Sequence, residues 1–238
     1  MELNVRETAK LMGVSEKTIY RWIKHNKLPA FKINDQYRFS RVEMLEWATS
    51  QRINVSAELL FDSREKKATV SSLEEALRAG GIHYRVGGAE KSAALKSIVE
   101  IMPLPPEVDK AFLLRVLIAR ESLGSTSIGD GIAIPHVRNP IVLHVPRPIV
   151  ALCFMEHAIE FGALDGKPVH TLFAIVSPTV TAHLNLLSRL AFALRHPVFS
   201  KHIAQQGSRD EILESAREID RLLLSRVPEN AAAGGGAP

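Results

Sequence analysis

Two stretches of the chain, Pro148 to Met155 and His170 to Val176, are almost continuously apolar and short, which predicts strands buried on both faces. Around them the apolar positions fall at helical spacing. Ser72 with Glu75 has the spacing of a capping box and opens a helix that Gly80-Gly81 stops; Ile82 to Val86 follows as a strand. Gly87-Gly88 turns the chain into a helix from about Lys91 to Ile101, Pro103 to Pro106 interrupts, and Glu107 to about Ala119 is helical. Beyond the second apolar run, Thr181 opens a helix with Leu184, Leu187, Leu190, Ala191 and Leu194 inward, and His183 falls in its first turn. A last helix runs from Glu211 to Arg226. Strands alternating with helices make residues 71–228 an α/β unit.

The first 53 residues follow a different pattern. Asn4 and Glu7 frame a helix to Met12, Gly13 ends it, and Ser15 caps a second helix to about His25 with Ile19 and Ile23 facing inward. Lys17, Arg21 and Lys24 share another face of that helix, with Thr18 beside them. Helix, short turn with Gly, helix is the helix-turn-helix pattern. Ala30–Ile33 and Tyr37–Phe39, joined by Asn34-Asp35-Gln36, predict a hairpin, and Ser40 with Glu43 opens a third helix to about Gln51. The expected unit is a small winged helix over residues 1–53. Residues 54–70 are polar and form the expected linker, although Leu59-Leu60-Phe61 offers an apolar contact to one domain or to a second copy of the chain. The Ala- and Gly-rich residues 229–238 are expected to be a disordered tail.

Charge sharpens this division. Residues 1–53 hold ten Lys and Arg against six Asp and Glu, and the remaining residues hold twenty of each, so the net charge of +4 resides in the first unit. A basic small domain on a neutral larger one points to an anionic partner, nucleic acid first. The single cysteine, Cys153, lies within an apolar run and reads as a buried small side chain; no disulfide can form within the chain. No apolar run is long enough to span a membrane, and charged residues occupy the N-terminus where a leader would be apolar; the expected location is the cytoplasm.

The larger unit is organised around Arg120-Glu121-Ser122-Leu123-Gly124-Ser125-Thr126-Ser127-Ile128-Gly129-Asp130-Gly131-Ile132-Ala133-Ile134-Pro135-His136. Pro135 has a fixed φ and holds Ile134 extended, so His136 is aimed by stiff backbone. A neutral imidazole whose other nitrogen is fixed by a hydrogen bond is a usable nucleophile, and phosphoryl transfer needs little else beyond donors for the phosphoryl oxygens. Arg120, Ser125, Thr126 and the backbone N–H groups of the Gly-containing loop are donors of that kind. The glycines at 124, 129 and 131 match neither nucleotide-binding pattern, and no G-x-S-x-G elbow is present. Histidines recur every thirteen residues from His144 to His196, but their neighbours do not repeat. No His pair has i, i+4 spacing, so no metal and no cofactor is expected.

The run R-E-x-x-G-S-T-x-I-G-x-G-I-A-I-P-H resembles the active-site signature of enzyme IIA domains of the bacterial phosphotransferase system, in the fructose/mannitol/nitrogen-regulatory class. The resemblance spans about Ser72 to Val227 and includes Phe161 to Val169 and Ala182-His183-Leu184-Asn185-Leu186-Leu187-Ser188. It implies a mixed sheet flanked by helices, with His136 accepting a phosphoryl group from a histidine-phosphorylated carrier protein. His183 would be the second active-site histidine, and Arg120 would help hold the phosphate. The family most often has Gly after the acceptor, whereas this chain has Val137 and then Arg138. Residues 1 to about 52 resemble the excisionase-type, MerR-like DNA-binding domain. That implies a second helix in the major groove and a wing that touches DNA through Lys32 and Arg38. The combined expectation is a DNA-binding regulator phosphorylated on His136. The rival readings are a non-chemical IIA-like docking protein and a phosphotransfer component without a transcriptional role.

Overall fold

The computed structural model describes residues 2–25, 28–50, 72–137 and 145–225. The expected linker, its Leu59-Leu60-Phe61 contact and the expected tail lie outside the described residues.

The N-terminal unit comprises β1 (Glu2–Leu3), α1 (Val5–Leu11), α2 (Glu16–Lys24), β2 (Phe31–Ile33), β3 (Gln36–Ser40) and α3 (Arg41–Ser50). Its caps form as the spacing predicts. The Asn4 side chain accepts from the Glu7 N–H and the Glu7 carboxylate accepts from the Asn4 N–H, both at 2.9 Å, and the Ser15 hydroxyl accepts from the Thr18 N–H. The hairpin turns on Asn34 and Asp35 alone, at φ +47° and +59°. Two left-handed residues match the twist of the flanking strands, so Gln36 pairs with Ile33 instead of extending the turn. β1, too short to show a period, pairs antiparallel with β3 and completes a sheet of order β1-β3-β2.

The larger unit contains α4 (Leu73–Gly80), β4 (Ile82–Val86), α5 (Lys91–Ile101), α6 (Lys110–Ser122), β5 (Ser127–Gly129), β6 (Ile132–Ala133), β7 (Ile149–Ile159), β8 (Val169–Val176), α7 (Val180–Ala193), α8 (Pro197–Ala204) and α9 (Arg209–Ser225). Its mixed sheet has the order β4-β7-β8-β6-β5. β4 runs parallel to β7 and β6 parallel to β8; β7 with β8, and β5 with β6, are antiparallel. The two apolar runs are therefore the second and third strands of five.

Their side chains alternate between two cores. Val150, Leu152, Phe154, Phe173 and Ile175 join α4, α7, α8 and α9 on one face. Ala151, Cys153, Met155, Leu172 and Ala174 join α5 and α6 on the other. Burying side chains such as Phe154 and Phe173 contributes about 1.5–3 kcal/mol each, enough to pin the strand register. Burial also pushes the Cys153 thiol up to about 12, so it stays neutral in the core.

Several boundaries depart from the apolar pattern. α6 starts at Lys110, not Glu107, because Val108 closes a turn on the Pro105 carbonyl and the Asp109 carboxylate then caps the helix at the Phe112 N–H. α7 starts at Val180, one residue ahead of its expected opening at Thr181, since Thr179 supplies the cap through the Ala182 N–H. α8 was not anticipated; Pro197 at its first position marks it. α9 begins at Arg209 behind a reciprocal Ser208/Glu211 cap.

One buried ion pair ties the ends of this unit together. Arg189 of α7 donates to Asp220 of α9 at 2.5 Å, and the Asp220 carboxylate also accepts from the N–H groups of Leu73 and Glu74 at the start of α4. Truncating one partner of such a buried pair costs about 3–5 kcal/mol. Asp220→Ala is expected to lower the unfolding free energy by about that amount, measured by urea denaturation, with α4 losing protection from hydrogen exchange first.

Candidate functional site around His136

The stretch read as a loop folds as a short hairpin. β5 and β6 are joined through Asp130 and Gly131, both left-handed at φ +50° and +71°. Gly131 is required there for a second reason: a Cβ would collide with the His170 ring, while the Gly131 carbonyl accepts from the N–H groups of His170 and Thr171. The hairpin is thereby fastened to β8. Past β6 the chain stays beside β8 in the same register, because the Ile175 N–H donates to the Pro135 carbonyl at 2.9 Å and His136 bridges to Ile175. Pro135 lacks a donor but keeps its acceptor, so it can occupy this line without breaking it.

His136 is 3% exposed. Its Nδ1 lies 2.7 Å from the Ile134 carbonyl oxygen. A carbonyl accepts only, so Nδ1 carries a proton and donates, and in the neutral ring the lone pair is then on Nε2. The His183 ring lies with its centroid 5.1 Å from that of His136, tilted by 37°. His183 is buried at the fourth position of α7, with its own N–H bonded to the Thr179 carbonyl. The structure thus brings the two predicted histidines together, one from a strand edge and one from a helix start.

Arg120, Ser125, Thr126, His136 and Leu187 line one cavity of about 250 Å³. Arg120 sits in the last turn of α6 and donates from a terminal guanidinium nitrogen to the Gly124 carbonyl at 3.0 Å. The hydroxyls of the other two predicted donors point at protein acceptors: Ser125 donates to the Phe161 carbonyl at 2.7 Å and Thr126 to the Glu121 carboxylate at 2.7 Å. Glu121 also takes the Thr126 N–H and stands 3.3 Å from Lys91, whose ammonium lies 4.9 Å from the Phe161 ring centroid. These bonds fix the turn between α6 and β5. Such charge-assisted bonds are worth about 1.5–3 kcal/mol each.

Residues 75–218 match the family described as the phosphoenolpyruvate-dependent sugar phosphotransferase system, EIIA 2. The chain belongs to this family. Residues 2–52 match a helix-turn-helix domain. Among the relatives, a nitrogen regulatory protein of Pseudomonas aeruginosa is 38% identical over 125 residues, covering 51% of this chain and 79% of the relative. Another from Escherichia coli strain K12 is 31% identical over 152 residues, 61% of this chain and 90% of that one. Among solved structures, the nitrogen regulatory protein IIA-Ntr of Neisseria meningitidis is 27% identical with a TM-score of 0.53, covering 60% of this chain and 98% of that one. No helix among the described residues is long and apolar enough to cross a membrane.

Three other residues of this EIIA domain and its neighbour shape the site without having been singled out. Glu121 stood in the quoted motif but was read past in favour of Arg120; a carboxylate followed five residues on by a hydroxyl was its signal. Glu43 and Trp47 of α3 also line the cavity. Nothing local in the sequence marks that contact, because it joins two units.

The predicted DNA-contacting residues lie on one small unit. Lys17, Arg21 and Lys24 are exposed on α2 while Ile19 is buried, and Thr18 is half-buried with its hydroxyl 3.0 Å from that of Ser15. On the hairpin, Lys32 pairs with Asp35 at 3.0 Å and Arg38 donates to the Gln36 side chain at 2.8 Å. Both pairings are solvent-facing, one to a carboxylate and one to a neutral amide, and cost little to exchange for an incoming anion.

The tautomer of His136 is directly measurable. Long-range ¹⁵N–¹H correlation spectra of the EIIA domain's histidines above neutral pH should show His136 protonated on Nδ1, the minor form of a free imidazole. Protonation on Nε2 would mean that the Ile134 carbonyl does not orient the ring.

Proposed function

We propose that this protein is a DNA-binding regulator whose EIIA domain accepts a phosphoryl group on Nε2 of His136 from a phosphohistidine carrier protein of the phosphotransferase system. The observation that carries this reading is the Nδ1 contact to the Ile134 carbonyl, which in the neutral ring puts the lone pair on Nε2, in a residue that shares a cavity with Arg120. The Nε2 lone pair attacks phosphorus as the P–N bond to the carrier's imidazole breaks, and that bonding pair returns to the carrier's nitrogen. The Nδ1 proton stays where it is, and the partial positive charge that develops on the His136 ring is held against the Ile134 carbonyl.

His183 stabilises the phosphoryl group from the side, and Arg120 offsets its charge. The roles of Ser125 and Thr126 are partly indirect in this scheme. Their hydroxyl hydrogens are engaged with Phe161 and Glu121, so they hold the turn whose backbone faces the cavity, and a phosphoryl oxygen would have to draw either hydroxyl away. Intact-protein mass spectrometry at alkaline pH, after incubation with phosphoenolpyruvate and a reconstituted carrier relay, tests the acceptor. The wild type should gain one phosphate mass and His136→Ala none; a gain in both, or in neither, would refute the assignment.

The nucleic-acid half of the reading rests on the helix-turn-helix match, the location of the net positive charge in the first 53 residues, and the exposed Lys17, Arg21 and Lys24 face. Each phosphate neutralised by a cation contributes about 0.9 to the slope of log affinity against log salt. Arg21→Ala with Lys24→Ala should therefore lower that slope by about two and weaken binding to a genomic fragment at ~150 mM salt. Unchanged affinity in a fluorescence anisotropy titration would remove α2 from the interface.

A further inference from the structure

The cavity beside His136 is lined in part from outside its own domain. Pro29, Glu43 and Trp47 of the helix-turn-helix unit line it together with Arg120, Ser125 and His136. Helix α3 packs against α7 and β5, and the apolar cores of the two units run together: Met44, Leu45 and Ala48 belong to the same cluster as Leu186, Leu187 and Leu190. The contact is made by α3, so the Lys17, Arg21 and Lys24 face of α2 stays in solvent.

We propose, building on the acceptor reading above, that the docked helix-turn-helix unit and a phosphoryl group on His136 exclude one another: the unphosphorylated site clasps α3, and phosphorylation releases it. Access supports this. A donor phosphorus has to approach Nε2 to about 3–3.5 Å in line, yet His136 is 3% exposed and the cavity it lines is shared with Glu43 and Trp47 of α3. The carrier and α3 therefore compete for the same mouth.

Charge supports it as well. The Glu43 carboxylate already supplies a negative group to the cavity that holds Arg120. A phosphoryl group brings about −1.5 to −2 charges into that partly desolvated space, where it is attracted by Arg120 and repelled by Glu43. Linkage makes the effect reciprocal: docking lowers the affinity of the site for the phosphoryl group by the same factor by which phosphorylation weakens docking. The input would then reach DNA by freeing the head relative to the EIIA domain, without covering the reading helix.

Hydrogen exchange on the full chain, read by mass spectrometry on peptides covering 41–48 and 184–193, tests the exclusion. Four samples are compared: the unphosphorylated wild type, the wild type after the carrier relay, His136→Glu, which places a carboxylate opposite Glu43, and His136→Gln as its neutral control. Exchange in both peptides should rise several-fold in the relay-treated protein and in His136→Glu, and stay low in His136→Gln. Glu43→Lys, with its helix content checked by circular dichroism, should accept phosphate from the carrier about tenfold faster than wild type. If a phosphate is added and exchange in both peptides is unchanged, the exclusion is wrong. If no phosphate is added by any carrier, it is the acceptor reading that fails, and the docking is still decided by His136→Glu against His136→Gln: a rise in the first alone upholds charge-driven release, and equal exchange overturns it.

Discussion

The bond from the Ile175 N–H to the Pro135 carbonyl holds the site in place. Ile175 lies in β8, the middle strand of the sheet, whose other edge is paired along much of its length with β7. A strand anchored on one side by an antiparallel ladder and above and below by two cores cannot slide. The segment pinned to its free edge therefore inherits its position, and the 2.7 Å contact between His136 and the Ile134 carbonyl then sets the ring. Backbone thus carries the position of His136 from strand to imidazole.

That dependence on backbone explains which features were legible in the sequence. Caps depend on residues three positions apart, and those at Asn4, Ser15 and Ser72 form where the spacing places them. Buried strands reveal themselves by length and composition, hence the early recognition of β7 and β8. The β5–β6 hairpin did not show itself, since two strands of three and two residues carry no period, and its turn uses Asp130 at positive φ where a loop reading is equally natural. The pairing of His136 with His183 was legible through family resemblance alone. Forty-seven positions of chain fold back through two strands before the rings meet at 5.1 Å, and no local rule reports that.

The contact of α3 with the EIIA domain was illegible for a different reason. Read by itself, the α3 pattern is that of a small domain's own third helix, with Met44, Leu45 and Ala48 inward. The same apolar face serves a second neighbour once the two units meet, and the resulting core is continuous. Inter-domain packing borrows the signal of intra-domain packing, so a sequence pattern assigns it to the nearer partner. Charge carries the distinction better: Glu43 is half-buried, and its partner cavity holds Arg120.

Strand alternation places Val137 on the other side of the sheet from the His136 ring. In sequence, a branched side chain directly after His136, in place of the small residue usual in the family, looks like an obstruction. Successive residues of an extended segment point to opposite faces of the sheet. Ile134 packs into the core on the α7 side, where His183 also resides, whereas Ala133 and Val137 pack into the core on the α5 and α6 side. Val137 is 3% exposed there, in the cluster that also holds Val145 and Ile149. Its bulk fills the opposite layer of the sandwich, while the His136 ring faces the cavity. A glycine at this position would cost the α5 and α6 core a buried side chain and the strand edge its stiffness.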